Sequence, residues 1–264
     1  MKSLILASVL MSFNLWAKPV VLVSYYDSFN KAPFNNSEKV AKLLEASFKT
    51  EQNNFDIKLC ALETVFDKAY GQLEACLKNT SGIIMVLGLG ESNCDFKVET
   101  MMRNLDQTFG PDNAGNNREK TAIIPEAGKA LGLRYPLPQM YCALTKNERK
   151  DIEVSNNAGS FVCNNTSFQL SYHYPEIQSG FIHVPSHHCK KLEEKTQKSV
   201  ENLRLMIKAA VSFLEIETDI PHKRLPVFKS ELNILREESK DDTCQQEYFK
   251  RSRGIDEKRS LWIF

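Results

Sequence analysis

From Pro19 onward, short apolar runs alternate with longer stretches in which apolar residues return every three or four positions. PVVLVSY (residues 19–25) and GIIMVLGL (82–89) are continuous apolar runs and predict strands buried on both faces. FDIKLCAL (55–62) alternates, as a strand with one covered face does. Between these runs, Val40, Leu43, Leu44 and Phe48 fall at helical spacing after an Asn-rich loop, with Ser37 placed to cap the helix. Residues 64–77 repeat the helical pattern. Strand, helix, strand, helix, strand in that order predicts an α/β layered domain on a largely parallel sheet.

The second half is less regular. Residues 96–105 read as one strand turning into the loop Gly110-Pro111-Asp112-Asn113-Ala114-Gly115, and 116–150 as loop with short elements. Residues 152–155 predict a short strand, and Gly159 introduces a helix over 161–174. GFIHVP (180–185) predicts another buried strand. A long helix follows over 192–214, with Val200, Leu203, Ile207, Ala210, Val211 and Leu214 on one face. Beyond residue 217 the chain turns charged and is broken by Pro221 and Pro226, with one short helix predicted at 232–238. This stretch reads as an extension packed on the domain and pinned by Cys244.

The N-terminus adds a destination. Met1-Lys2-Ser3, an apolar run from Leu4 to Trp16, and the small Ala17 have the layout of a secretory signal peptide. The organisation expected is therefore a signal peptide at 1–17, a catalytic domain at 18–217 and an extension at 218–264, with the protein exported to a periplasm or secreted. A net charge of +1 gives no reason to expect nucleic acid or an anionic membrane as partner, and no second run is apolar enough to span a bilayer.

There are seven cysteines, none in a C-x-x-C pair and none at zinc-finger spacing from a histidine, so no metal or cofactor is expected. Seven is odd. Setting one thiol aside leaves six, enough for three disulfides, which can pair in fifteen ways.

The thiol to set aside is Cys163. It follows Gly159 by four residues at the start of a predicted helix, where unpaired N–H groups and the helix dipole favour a thiolate and can receive an oxyanion. His183 lies within the next apolar strand, where an imidazole needs a polar partner. Together they form a Cys–His pair of the kind used in nucleophilic catalysis. Spacing alone does not select the third group among the many acids.

VSNNAGSFVCNN (154–165) followed by GFIHVP resembles the signature of the pyroglutamyl peptidase I (pyrrolidone carboxyl peptidase) family, which are cysteine peptidases. VLVSYYDSFNKAPFNNS (21–37), VETMMRN (98–104) and PDNAG (111–115) are similar to further family segments in the same order. The resemblance covers roughly residues 20–215. It implies a three-layer α/β/α sandwich that removes an N-terminal pyroglutamyl residue from blocked peptides. It also implies Cys163 as nucleophile, His183 as base, Glu99 as the third catalytic member, and Phe29 and Phe161 as aromatic walls for the lactam. Family members often form homo-oligomers.

The departures fall around the pocket. Tyr25-Tyr26-Asp27-Ser28-Phe29-Asn30 lacks the family's two glycines. Glu91-Ser92-Asn93 stands where the family has Gly-Gly-Arg, and Thr100 follows Glu99 where arginine is usual. Arg103 is the nearby candidate to replace that cation. Another small cyclic or acyl-capped amide as substrate, and a binding protein without turnover, are the alternatives these changes leave open.

Overall fold

β1 (Val20–Tyr26), β3 (Ile83–Ser92) and β8 (Gln178–Pro185) form the centre of the fold because their side chains are apolar on both faces. The computed structural model describes residues 18–108, 110–219 and 243–248; the predicted signal peptide and the predicted helix at 232–238 lie outside them. β2 (Asp56–Leu62) flanks β1, and β4 (Phe96–Glu99) and β7 (Ile152–Ser155) complete a six-stranded sheet in the order β2-β1-β3-β8-β4-β7. All pairings are parallel except β4 with β8.

Alternation along the strands sends Val21, Val23, Leu87, Leu89, Ile182 and Val184 to one face. There they meet α1 (Asn36–Lys49) and α6 (Leu192–Asp219). Leu22, Val86 and Phe181 face the other way, with α2 (Phe66–Lys78) and α5 (Val162–His173). The result is the expected α/β/α sandwich. Leu87, wholly enclosed, illustrates its energetics: truncation to alanine in such a core costs about 2–5 kcal/mol.

Two local readings are corrected. Asn35, not Ser37, caps α1: it has extended backbone, and its side-chain oxygen accepts from Ser37 N at 2.9 Å, while Ser37 lies inside the first turn. The strand expected over 96–105 breaks at Thr100. Both the N–H and the hydroxyl of Thr100 donate to Ser155 O, at 2.7 and 3.0 Å, which closes the pairing with β7. The chain then enters a separate ribbon in which β5 (Met101–Arg103) pairs antiparallel with β6 (Ala130–Gly132).

The cysteines resolve as expected in number. Cys60–Cys76, Cys94–Cys189 and Cys142–Cys244 are bonded, and Cys163 is free. The third bond joins α3 (Leu137–Cys142) to a helical turn at 243–248, whose Cys244 and Tyr248 belong to the core on the α6 side. The pinning role predicted for Cys244 is thus present.

Candidate active site

α5 begins where β7 has ended and Gly159 (φ 84°) turns the chain, a backbone conformation open to glycine at little cost. Phe161 is the N-cap but offers no side-chain cap, so the first N–H groups of α5, including that of Cys163, point out of the helix unpaired by a cap. Asn164 fixes this helix end. Its side chain accepts from Arg103 N at 2.8 Å and donates to the carbonyls of Arg103 and Leu105 at 2.8 and 3.1 Å.

The thiol lies over β3. A methyl group built on Gly90 would sit 3.0 Å from Cys163 Sγ and 2.9 Å from the Phe181 ring, so only glycine leaves room for both. Gly90 is the register partner of His183 on β8. His183 shares a face with Phe181, whose ring centroid is 4.9 Å away. The Cys163 thiol, packed over Gly90, and the His183 imidazole on the paired strand position therefore lie on the same, α5 side of the sheet. From the next strand, Glu99 reaches His183: Oε1 lies 2.8 Å from Nδ1. Glu99 is wholly buried and His183 6% exposed. Because a carboxylate only accepts, Nδ1 carries the proton and Nε2 is left with a lone pair. Tyr135, packed flat under Gly180, donates its hydroxyl to Glu99 O at 2.7 Å and holds that end of β4.

The thiol differs from expectation in one respect. Burial pushes its pKa up from 9.0 to about 12, outweighing its own backbone N–H; the Glu99 and Glu91 carboxylates push the same way. Desolvation thus favours the neutral thiol over the thiolate expected from its helix position.

A cavity of about 360 Å³ opens beside Cys163 at the carboxyl ends of β1, β3 and β8, the edge where open α/β sheets place their ligands. Phe29 and Phe161 form one wall, their ring centroids 4.9 Å apart, with Phe66 edge-on behind Phe161. Phe29 rides on a loop whose tip, Asn30 and Lys31, has φ of 51° and 60° and is closed by Ala32 N donating to Phe29 O at 3.0 Å. Asp27 anchors this loop, accepting from Thr64 N at 2.7 Å. The opposite wall is Glu91, Ser186, His187 and His188. Nothing in the strand and helix patterns singled these four out. The available signal was their position, at the end of β3 and directly after β8, at the ligand-binding edge. His183 and Glu99 lie behind the lining. Arg103 does not line the cavity either: its guanidinium bonds the Asn157 side chain, so it does not supply a cation there.

A family model described as pyroglutamyl peptidase matches residues 19–219. The pyrrolidone-carboxylate peptidase of Thermosipho melanesiensis is 29% identical over 185 residues, covering 68% of this chain and 89% of that protein. Its namesake in Staphylococcus haemolyticus is 28% identical over 206 residues, covering 75% and 95%. The crystal structure of Bacillus amyloliquefaciens pyroglutamyl peptidase I superposes with a TM-score of 0.63 at 22% identity, covering 74% of this chain and 98% of that one. A variant of pyrrolidone carboxyl peptidase from Pyrococcus furiosus gives 0.63 at 24% identity, covering 74% and 99%. The two structural likenesses speak for the fold.

Proposed function

The chain belongs to the pyroglutamyl peptidase family, and from that membership we propose that it is a cysteine peptidase releasing pyroglutamate from the N-terminus of blocked peptides. The observation that carries this reading is the Glu99–His183 pair held beside Cys163, the only free cysteine among the described residues.

His183 Nε2 takes the proton of the neutral thiol as sulfur attacks the carbonyl outside the lactam ring. Glu99 stabilises the imidazolium so formed, and the N–H groups at the start of α5 receive the oxyanion. The tetrahedral adduct collapses with loss of the peptide amine, which leaves with the proton from His183. Water, deprotonated by His183, then attacks the thioester and frees pyroglutamate and the thiol. Phe29 and Phe161 suit a flat, largely apolar lactam.

Release from the cytoplasm belongs to the same proposal. Its support is the basic start and apolar run at 1–17 and three disulfides that use every cysteine but the nucleophile, a usage suited to an oxidising compartment.

The test is product identification by mass spectrometry on three peptides that differ only in a pyroglutamyl, glutaminyl or acetyl-alanyl start. Free pyroglutamate from the first alone is expected. Cleavage of the acetylated peptide instead would favour another acyl-capped amide, and no cleavage of any would favour a binding protein.

A further inference from the structure

The wall facing the two phenylalanines has a definite electrostatic character. Glu91 is engaged through both oxygens. Oε1 accepts from Asn36 N, the first N–H of α1, and from His187 N at 3.1 Å. Oε2 accepts from His187 Nδ1 at 2.9 Å and from the Ser186 hydroxyl at 3.1 Å. Since Ser186 gives its proton to Glu91, its oxygen accepts from His188 Nδ1, 2.9 Å away. The network thus places a proton on Nδ1 of both imidazoles. The wall presents the Glu91 carboxylate with two imidazoles bonded into its network. The N–H of α1 that would attract an anion is already occupied by Glu91. Lys31, on the exposed tip of the opposite loop, is the one lysine or arginine lining the cavity.

This wall is held rigidly. Ser186 N donates to Asn93 O at 2.8 Å, Cys189 N to Ser186 O at 3.0 Å, and the Cys94–Cys189 bond ties the β3–β4 turn to the residue after His188. It also lies near the nucleophile. Cys163 lines the cavity together with Phe161, two residues before it, and with Glu91. The thiol shares this cavity with both groups and is close enough to Glu91 to feel its charge. A lactam held on the aromatic side would leave the Glu91 side of the cavity to the leaving peptide.

We propose that Glu91, with His187 and His188, forms a leaving-side subsite that selects peptides carrying a basic residue immediately after the pyroglutamyl group. This rests on the pyroglutamyl reading and sharpens it. The experiment compares kcat/KM for pyroglutamyl-Arg-Ala-amide, pyroglutamyl-Ala-Ala-amide and pyroglutamyl-Glu-Ala-amide, with pyroglutamyl-aminomethylcoumarin as a substrate lacking that side chain. Arginine is expected to exceed glutamate by on the order of tenfold or more, the effect of one partly screened charge pair, and the ratio should shrink in 1 M salt. Glu91→Gln should bring the ratio toward one. Hydrolysis of the coumarin amide with equal rates for the three peptides, or a preference for glutamate, would overturn the subsite while leaving the peptidase standing. No hydrolysis of any pyroglutamyl substrate would remove both. The wild-type ratio and its salt dependence decide the matter even if the Glu91 variant fails to fold.

Discussion

Replacing Glu99 by glutamine should cripple turnover without weakening the fold. The carboxylate is wholly buried, one oxygen 2.8 Å from His183 Nδ1 and the other without a hydrogen-bond partner among the described residues. A glutamine carbonyl can still accept from Nδ1–H and hold the ring, so orientation and tautomer survive. The negative charge beside the imidazolium does not. At a charge separation of roughly 4 Å and an effective dielectric near 20, that charge is worth up to about 4 kcal/mol. Allowing for partial relaxation, a loss of about 2–4 kcal/mol corresponds to a fall in kcat of roughly 30- to 1000-fold. Stability should move the other way or not at all, because a buried, half-satisfied carboxylate is costly to fold around. The assay is paired: steady-state kinetics on pyroglutamyl-aminomethylcoumarin, and thermal unfolding of both proteins at the same pH. A drop in Tm with kcat intact would refute the reasoning and make Glu99 a structural acid.

Iodoacetamide labelling of ligand-free Cys163 should climb steadily with pH and reach no plateau below about pH 11, following a thiol pushed up to about 12; a plateau below pH 8 would mean a preformed thiolate. The same shift carries a sign for stability. Between pH 9 and 12 the unfolded chain has lost this proton while the folded one keeps it, so the thiol's contribution to stability falls as pH rises through that window, a trend Cys163→Ala should flatten in denaturant titrations. Gly90→Ala puts a methyl at 3.0 Å from Cys163 Sγ and 2.9 Å from Phe181; overpacking should cost about 1–3 kcal/mol in urea unfolding and lower kcat by displacing the thiol, and unchanged kinetics would place the nucleophile elsewhere. Cys142→Ala with Cys244→Ala opens a loop of 102 residues, for which the route through Cys94–Cys189 is no shortcut, and should cost about 3–5 kcal/mol, seen as a Tm lower by roughly 10 °C; an unchanged Tm would show the 243–248 turn to be dispensable.

The central strands were readable because burial on both faces leaves a continuous apolar run, as in GIIMVLGL, and α6 because its apolar stripe keeps helical spacing over many turns. The order of β4 was not. A four-residue strand carries no information about whether its neighbour runs with it or against it, and the break at Thr100 depends on Ser155, 55 residues away. Cys163 and His183 were legible from local context, whereas Glu99 emerged only through the family resemblance. Of the acidic wall, Glu91 was visible only as a departure from the family pattern, and Ser186 to His188 escaped because they sit in a loop. Their hydrogen-bond network exists only once β3 and β8 lie side by side. A helix start is visible in a sequence, but the desolvation that raises the Cys163 pKa depends on tertiary packing.

The most direct test of the account is hydrolysis of pyroglutamyl-aminomethylcoumarin by the disulfide-bonded protein beginning at Lys18, beside Cys163→Ser. Turnover by the first and none by the second is the predicted result. Equal release of coumarin by both, or by neither while both remain folded, would contradict the assignment of Cys163 as the nucleophile of a pyroglutamyl peptidase.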